Sequence, residues 1–457
     1  MKFRLEKKIF TKIITFLLLF CCVHSIKAQT EQAKSDLPNP FEISKKYTAQ
    51  NNYIAPLFEL KAREAEYLAS PVWKEPFLDL MIYLQGYVGN YADAYDYENI
   101  FYQTNRSYRG LKEMFAKDVT ASPLADYRML DALDAIEAVA ADRQVMMINE
   151  EHRTPFHRAT TLQLLSRLYA KGFRYFAAET VSATDTELNK RGYPTQSTGF
   201  YTADPIYADT IRTALKLGYK VVPYESIPTG CQSPAGNPEF CNDLRERGQA
   251  QNLYDRILKD DSQAKIFVHV GRGHNLKYGD EKFSFMGKHF QEITKINPFV
   301  IDQLAFSERG DTAYENPLYR YLTKNNILQK PSVYQAPNGG FYNKGVGSGN
   351  DMVIFHPRMR YENGRATFLK MNNLRRAEKI NLKKLKLKAD KNLFGGSEPV
   401  LVQAFYANES ADAVPVDQII LYPNKETPVL MLPKGKFRIR AMDKARKILS
   451  QYEKKID

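Results

Sequence analysis

Hydrophobic and polar positions follow two different periods along the middle of this chain. Short apolar runs predict strands at residues 145–148, 173–178, 219–224, 264–270 and 299–304. Longer stretches with apolar residues at helical spacing predict helices at residues 156–170, 205–217, 242–259 and 281–295. Strands that alternate with helices in this way favour βαβ units, and therefore an α/β fold with a mostly parallel sheet and flanking helices.

The flanking regions have other patterns. Residues 53–108 carry apolar residues at helical spacing, which predicts several packed helices, and residues 124–141 predict one more. Beyond a glycine-rich loop, six short alternating runs predict a β-sandwich-like module, at residues 352–355, 366–371, 400–406, 418–422, 429–432 and 436–441. The expected organisation is an N-terminal helical region (29–110), an α/β domain (111–335) and a C-terminal β-rich module (336–457).

Residues 1–28 have the pattern of a targeting segment. A basic stretch up to Lys12 precedes an apolar run at 13–23 and a small residue, which predicts a secretory signal peptide cleaved after Ala28. The mature protein is then periplasmic, surface-located or secreted. A lipoprotein signal ending at Cys21 or Cys22 is the less favoured alternative, because no small-residue box precedes these cysteines. No later stretch is long and apolar enough for a membrane helix.

Charge and cysteine content agree with export. The formal charge of +13 falls to +8 once the six basic residues and one glutamate of residues 1–28 are removed. This moderate excess does not favour nucleic acid as a partner. Beyond residue 28 the only cysteines are Cys231 and Cys241, in a loop rich in Gly, Pro, Ser and Asn. A disulfide that closes this loop is therefore predicted in an oxidising compartment.

Acidic and imidazole side chains follow the predicted strands directly. Glu150, Glu179, Glu225 and His274 each lie at or just past the C-terminal end of a strand. In a parallel sheet those ends share one edge, and ligands bind in the crevice outside it. We therefore expect these four residues and His152 to form one candidate catalytic site.

Two chemistries suit this set of residues. His152, with Glu150 beside it, can take a proton from water as a general base. Alternatively, Glu150, His152, Glu179 and His274 can hold a divalent metal (Mn, Co, Zn or Fe) that lowers the pKa of bound water, so that hydroxide attacks a carbonyl.

Further residues near the strand ends are candidate binding groups. Arg272, in the turn before His274, can stabilise an oxyanion. His157 and Arg158 open the helix after the first strand and are expected to reach the crevice, the alternative being a solvent-facing first turn. The chain has no G-x-S-x-G elbow, P-loop or dinucleotide fingerprint, so covalent serine chemistry and nucleotide chemistry have little support.

Two segments resemble the motifs of a known family. Asn149-Glu-Glu-His152, followed by His157, resembles the G-E-x-H…H motif of ChaN-like proteins, with Asn149 in the place of glycine. Val270-Gly-Arg-Gly-His274 resembles their second motif, G-x-G-H. The wider superfamily includes erythromycin esterases, Tiki proteases and TraB proteins. The resemblance implies an α/β fold with a strand-end pocket, which serves hydrolases, metal-dependent proteases and haem-binding proteins.

These features favour an exported hydrolase that cleaves an ester or amide in a small molecule or peptide, with water activated by Glu and His and with or without a metal. A protein that binds haem or another ligand in the same pocket without catalysis is the alternative. A cell-surface interaction protein is a third hypothesis. For it, the basic segment 375–391, expected to be a half-buried strand with lysines outward, would contact an anionic cell-surface polymer.

Overall fold

The computed structural model of the chain describes residues 37–229, 231, 238–385, 387, 399–422, 429–445 and 447–457. The predicted signal peptide lies outside these residues, so export stays a prediction. Within the described ranges, no helix combines the length and apolar character needed to cross a membrane.

An eight-stranded sheet forms the centre of the molecule. Its strands are β1 (Arg128–Asp131), β2 (Val145–Glu150), β3 (Tyr175–Ala178), β4 (Lys220–Val222), β5 (Ile266–Gly271), β6 (Phe299–Phe306), β7 (Ser332–Gln335) and β8 (Met352–Phe355). Their order across the sheet is β1-β7-β8-β6-β2-β5-β3-β4. Every pair from β8 to β4 is parallel, whereas β7 pairs antiparallel with both β1 and β8. The predicted mostly parallel α/β sheet is confirmed.

Helices precede the sheet and cover it. The N-terminal region contains α1 (Pro40–Thr48), α2 (Ile54–Ala62), α3 (Glu64–Ala69), α4 (Lys74–Tyr87), α5 (Tyr91–Thr104) and α6 (Arg106–Met114). Between and after the strands lie α7 (Ala132–Ala140), α8 (Pro155–Ala170), α9 (Leu188–Arg191), α10 (Pro205–Leu217), α11 (Pro238–Leu253), α12 (Met286–Thr294) and α13 (Pro317–Lys324).

Side chains along the strands alternate between two helix-covered faces. In β2, Met146 and Ile148 join a core built with α7, α8 and α10, whereas Val145 and Met147 join a second core built with α11 and α12. Because the strand is buried on both faces, its sequence is a continuous apolar run. The same alternation puts Glu150 on the face that α8 and α10 cover.

The strand order reverses at β2, which lies between β5 and β6. From β2 the chain first builds β3, β4 and β5 on one side and then β6 and β8 on the other. Such a reversal opens a crevice outside the C-terminal ends of the strands. The register pairs Glu150 with Gly271 and Ala178 with His269, so the ends of β2, β3 and β5 lie level at one edge.

Three predicted elements are corrected by the structure. The helix predicted at 124–141 begins only at Ala132, because residues 128–131 pair with β7 and Asp131 caps the helix through the N–H groups of Leu133 and Asp134. Residues 352–355, assigned to the C-terminal module, are β8 of the large sheet, since they pair in parallel with β6. At 366–371 the chain forms the 3-10 turn Thr367–Lys370 instead of a strand. The domain boundaries themselves stay a prediction.

The C-terminal region is built from antiparallel strands. They are β9 (Tyr361–Glu362), β10 (Arg365–Ala366), β11 (Arg376–Lys379), β12 (Val400–Tyr406), β13 (Asp417–Leu421), β14 (Val429–Leu432), β15 (Gly435–Met442) and β16 (Ile448–Ile456). Four of them form a sheet in the order β13-β12-β15-β16, while β9 pairs with β10 and β11 with β14.

The basic segment 375–391 is a strand only at Arg376–Lys379. After it, Ile380, Leu385 and Leu387 are buried in the core of the C-terminal region, while Lys383 and Lys384 are exposed. The apolar residues therefore point inward and the lysines outward, as the alternation predicts. Residues 386 and 388–391 lie outside the described residues.

The N-terminal helices share a core with the C-terminal sheet. Phe77, Tyr87 and Phe101 of α4 and α5 are buried, and Leu401 and Ile420 of the C-terminal sheet pack in the same cluster. These aromatic residues therefore serve as packing between helices and sheet.

Candidate active site

A buried network of ion pairs lies beneath the C-terminal end of β2. We call it the inner layer, and its members are Glu150, Arg158, Asp204 and His269, each at most 3% exposed. Arg158, in the first turn of α8, donates from Nε to Glu150 Oε2 at 2.7 Å and from Nη2 to Glu150 Oε1 at 2.9 Å. Its Nη1 lies 3.1 Å from Asp204 Oδ2. The guanidinium of Arg158 thus pairs with two carboxylates. Removing one partner of such a buried ion pair costs several kcal/mol of folding free energy, because it leaves a buried charge without compensation.

Asp204 and His269 connect this network to α10. Asp204 is the N-cap of that helix, and its Oδ1 accepts from the backbone N–H groups of Ile206 at 2.7 Å and Tyr207 at 3.0 Å. The hydroxyl of Tyr207 lies 2.7 Å from His269 Nδ1, and His269 Nε2 lies 3.6 Å from Glu150 Oε2. The inner layer therefore joins β2, β5, α8 and α10.

Burial raises the pKa of both carboxylates in the inner layer, and nearby cations oppose it. For Glu150 the charge of Arg158, the charge that His269 gains in acid and the hydrogen bond from His152 hold the pKa well below its usual range. For Asp204 burial prevails over Arg158 and the pKa is raised. Burial also lowers the pKa of His269 to about 4. At neutral pH, Glu150 is therefore ionised and His269 is neutral.

His152 stands above the inner layer, at the mouth of the crevice. Its Nδ1 lies 2.8 Å from Glu150 Oε1, and its ring stacks on Tyr201 with centroids 3.9 Å apart. Because Glu150 is ionised, Nδ1 carries the proton and donates it to the carboxylate, which leaves the Nε2 lone pair available. The His152 side chain is 12% exposed, against 1% for Glu150. Solvent therefore reaches the imidazole and not its partner.

Gly271, the last residue of β5, lies between His152 and Glu179. A Cβ at this position would lie 2.4 Å from His152 Nε2 and 2.9 Å from Glu179 Oε2. The N–H of Gly271 donates a hydrogen bond to that same carboxylate oxygen. Only glycine leaves room for both side chains, so this residue permits their close approach to the end of the strand.

A second charged set, the outer layer, lies beside His152 at the ends of β3, β4 and β5 and on α11. Its members are Glu179, Glu225, Arg245, Glu246 and His274. Arg245, from α11, donates to Glu179 Oε1 at 2.8 Å and to Glu225 Oε1 at 3.0 Å. Gln249, one turn further along α11, also donates to Glu225 at 3.0 Å. The side chains of Glu179 and Glu225 are 10% and 29% exposed, so these two carboxylates reach solvent, whereas Glu246, at 3%, is as buried as the inner layer.

His274 is held by α11. Its Nδ1 is hydrogen-bonded to Glu246 Oε1, and its Nε2 lies 3.1 Å from Arg245 Nη1 and 3.7 Å from Glu179 Oε1. Burial lowers the pKa of His274, but the carboxylates of Glu246 and Glu179 outweigh it and the net shift is upward. Glu246 is fixed in turn by the N–H of Met286, from which its Oε2 accepts at 2.7 Å. The upward shift of its pKa therefore favours the protonated form of His274.

Arg272 and Asn149 fix the turn between the two layers. Arg272 has a φ of +47°, in the left-handed region that residues other than glycine rarely adopt. Its N–H donates to Glu150 O at 2.7 Å. Asn149 Nδ2 donates to Arg272 O and to Asp302 Oδ1, both at 2.8 Å, and Asn149 Oδ1 accepts from Gln303 N at 2.7 Å. Asn149 thus ties β2 both to this turn and to β6.

The structure brings most of the sequence-predicted site residues to one edge. Those that meet there are Glu150, His152, Glu179, Glu225 and His274. Arg272 lies in the adjoining turn, where its Nη2 is 3.4 Å from Glu151 Oε1. His157 does not join them, because it is fully buried, with Nδ1 accepting from Glu151 N at 3.0 Å and Nε2 lying 2.8 Å from Ser307 Oγ. Burial lowers the pKa of His157 well below its usual range. Arg158 lies at the site but in the inner layer, 1% exposed, so it supports Glu150 instead of facing the crevice.

Some residues of the site escaped the sequence analysis, namely Tyr201, Asp204, Arg245, Glu246 and Gln249. The Asp204-Pro205 pair is a helix-start signature, so Asp204 was recognisable as a cap but not as a partner of Arg158. Arg245 and Gln249 lie four residues apart on one face of α11, which has the composition of an ordinary solvent-facing surface. Tyr201 lies in a segment without periodic signal.

The arrangement does not fit a metal ion held by these carboxylates. The guanidinium groups of Arg158 and Arg245 already pair with Glu150, Glu179 and Glu225, the oxygens that would bind the cation. Throughout the part of the chain that the structure describes, no three His, Cys, Asp or Glu side chains are grouped as metal ligands. We therefore derive no chemical step through a metal.

The predicted disulfide between Cys231 and Cys241 is present, with Cα atoms 5.6 Å apart. Cys241 lies in α11, one turn before Arg245. The disulfide thus anchors the helix that supplies Arg245 and Glu246 to the outer layer.

Comparison with known proteins gives few matches. No family model and no curated protein matches the chain. Similar solved structures include the type III effector HopBA1, at 15% identity and a TM-score of 0.31 over 52% of this chain and 99% of that one. A structure described as "Bacterial protein toxins" is 11% identical, with a TM-score of 0.30 over 57% of this chain and 56% of that one. RRSP, a MARTX toxin effector domain from Vibrio vulnificus CMCP6, is 14% identical, with a TM-score of 0.24 over 50% of each chain.

The chain thus spans about half the length of the last two structures. Similarity at these TM-scores carries no conclusion about function, and the resemblance to ChaN-like proteins stays a prediction.

Proposed function

We propose that this protein is a hydrolase that cleaves an ester or amide with a water molecule activated by His152. The observation that carries the proposal is the 2.8 Å contact between His152 Nδ1 and the buried, ionised Glu150. A base oriented in this way keeps one tautomer and presents its second nitrogen to the crevice. The same sheet edge holds a second imidazole, His274, whose pKa is shifted upward.

The two imidazoles have complementary roles in the proposed reaction. His152 Nε2 takes a proton from water while the water oxygen adds to the carbonyl carbon, and Glu150 stabilises the imidazolium that forms. The oxyanion is stabilised by the positive charges of Arg245 and Arg272. As the tetrahedral intermediate collapses, Arg245 Nη1 turns from His274 Nε2 to the oxyanion, and the protonated His274 gives its Nε2 proton to the leaving oxygen or nitrogen. Solvent then removes the proton from His152 and returns one to His274, which restores both groups.

The test is turnover of nitrophenyl esters and nitroanilide amides by the purified mature chain and by His152→Ala. We expect kcat to fall by about 10²–10⁴-fold in the variant, the usual contribution of a general base, with an unchanged melting temperature. His289→Ala is the matched control, because His289 is also 12% exposed but pairs with Asp243, which belongs to neither layer. Full activity in His152→Ala, or no turnover of any substrate by the wild type, counts against the proposal.

Two measurements address the remaining parts of the proposal. A haem titration that gives a Soret shift dependent on His152 would assign the pocket to ligand binding instead of hydrolysis.

Export is supported by the sequence of residues 1–28. N-terminal sequencing of the exported protein is expected to begin at Gln29, and a chain retained with its first 28 residues would contradict export.

A further inference from the structure

An aromatic cluster borders His152 at the mouth of the crevice. The ring of Tyr201 stacks on the imidazole of His152, with centroids 3.9 Å apart. Phe200 meets the rings of Tyr201 and Tyr83 edge to face, at 5.1 Å and 5.8 Å. Phe41 adds a fourth ring, 6.0 Å from Phe200. Rings from α1, from α4 and from the segment before α10 thus meet beside the proposed general base.

Phe200 presents this cluster to solvent. Its side chain is exposed, at 48%, whereas Phe41 and Tyr201 are partly buried and Tyr83 is only 3% exposed. A single exposed apolar side chain on a protein surface is common and has no implication for function. Phe200 is not isolated in this way, because Tyr201 connects it to His152. Its accessible face is therefore an apolar surface that adjoins the site.

The backbone around Phe200 is fixed to the end of β3. Gly199 packs directly against the carbonyl oxygen of Thr180, the residue after Glu179, and leaves no room there for a Cβ. On the other side of Phe200, the N–H of Tyr201 donates to Thr180 Oγ1 at 3.1 Å. These contacts hold Phe200 at the sheet edge that carries the site. A surface fixed in this way loses little conformational entropy when a ligand binds.

We propose that Phe200 forms a subsite for an aromatic ring on the acyl side of the substrate, an inference that rests on the proposed hydrolase function. The leaving group has to meet His274, whereas Phe200 adjoins His152 through Tyr201, so the ring belongs to the acyl part. An aromatic ring suits this subsite because tilted and edge-to-face contacts between rings are favourable beyond the apolar area that they bury. The substrate class is therefore an ester or amide of an aromatic acid.

The subsite is tested by hydrolysis of ethyl phenylacetate, ethyl cyclohexylacetate and ethyl acetate by the mature protein. The three esters share a leaving group without a ring, so any preference among them concerns the acyl side. We expect kcat/KM for the phenylacetate to exceed that for the acetate roughly ten-fold, with the cyclohexylacetate between them. Equal kcat/KM for the phenylacetate and the cyclohexylacetate would overturn an aromatic subsite.

Variants assign the preference to Phe200. Phe200→Ala is expected to lower the ratio of kcat/KM for phenylacetate to that for acetate by about ten-fold, and Phe200→Tyr to preserve this ratio. Tyr361→Ala is the matched control, because Tyr361 is also 48% exposed but lies on β9 in the C-terminal region. A wild-type ratio in Phe200→Ala would overturn the proposal.

Binding separates this proposal from the proposed function. Benzylphosphonate carries the ring and a tetrahedral anionic group like that of the intermediate, and methylphosphonate lacks the ring. In isothermal titration we expect the wild type to bind benzylphosphonate about ten-fold more tightly, and Phe200→Ala to remove most of this difference. If this result comes with no hydrolysis of any ester, the subsite stands and the hydrolase fails. If esters are hydrolysed but the two phosphonates bind equally, the subsite is overturned and the hydrolase stands.

Discussion

The inner and outer layers of the crevice are made from the same residue types but differ in their access to water. In the inner layer, Glu150 is 1% exposed and shares Arg158 with Asp204. In the outer layer, Glu179 and Glu225 share Arg245, which is itself 21% exposed. Glu150 at the end of β2 therefore pairs with Arg158, and Glu179 after β3 pairs with Arg245. Of the two arginines, only Arg245 is exposed enough to contact a ligand as well.

This difference shows that burial, and not position at a strand end, decides the role of each acid. A buried carboxylate with all its oxygens committed holds other groups in place, as Glu150 holds His152. A partly exposed carboxylate such as Glu225 keeps room for exchange with solvent or substrate.

Removing the charge of Glu150 tests the inner layer most directly. Glu150→Gln leaves Arg158 with Asp204 as its remaining anion in a site closed to water. We expect the free energy of unfolding in urea to fall by about 3–5 kcal/mol. Glu179→Gln, the matched change in the outer layer, is expected to cost about 1–2 kcal/mol. Equal losses in the two variants would mean that the layers do not differ energetically.

The inner layer also predicts sensitivity to acid. Burial lowers the pKa of His269 to about 4 from an ordinary value of 6.5, so the unfolded chain gains a proton between these pH values that the folded chain does not. Stability therefore falls as the pH decreases through this window, by up to about 3 kcal/mol for this residue. His269→Gln is expected to reduce the slope of melting temperature against pH between pH 6.5 and 4.5. A slope equal to that of the wild type would contradict a neutral, buried His269.

The disulfide allows the outer layer to be perturbed alone. Cys231→Ser with Cys241→Ser frees the start of α11, and a loop of this length is worth about 2–3 kcal/mol. We expect lower stability and slower turnover, because Arg245 and Glu246 lie on that helix. The acid sensitivity due to His269 should be unchanged, since no member of the inner layer lies on α11. Loss of this sensitivity in the double variant would show that the layers are coupled.

The smallest expected effect concerns the acid in the proposed reaction. The carboxylate of Glu246 helps to raise the pKa of His274, and this imidazole must be protonated to act. Activity is therefore present below that pKa and lost as the pH rises through it. Glu246→Gln removes the charge, so the alkaline limb of kcat against pH should move to lower pH, with about a ten-fold loss at pH 8. An unmoved alkaline limb would exclude His274 as the acid.

The sheet was predictable because its central strands are buried on both faces and therefore carry uninterrupted apolar runs. β16 was not predicted, since most of Ile448–Ile456 is at least partly exposed and its sequence is polar. β1 was taken for helix because its four residues adjoin a true helix and do not alternate clearly. Strands that bury few apolar side chains form because they pair with strands distant in sequence. The local hydrophobic pattern carries no information about such pairing.

At the site, the convergence of strand ends was predictable from topology alone. The pairing of each acid was not, because Arg158 and Arg245 reach their carboxylates from helices whose rotation about their own axes is set by packing. For the same reason His157, five residues after His152 and the third residue of α8, was expected in the crevice but lies behind it. Sequence position therefore predicts which groups come to an edge, and packing decides which of them face the ligand.

Asp204 gives this arrangement a consequence for how the protein can change over time. The same carboxylate starts α10 and restrains Arg158, so a mutation there both frays a helix and loosens the support of His152. A substitution of Asp204 is therefore expected to lower the stability of the fold and the activity of the site together. Substitution of Glu225 or Gln249 does not have this double effect, because no helix start depends on either residue.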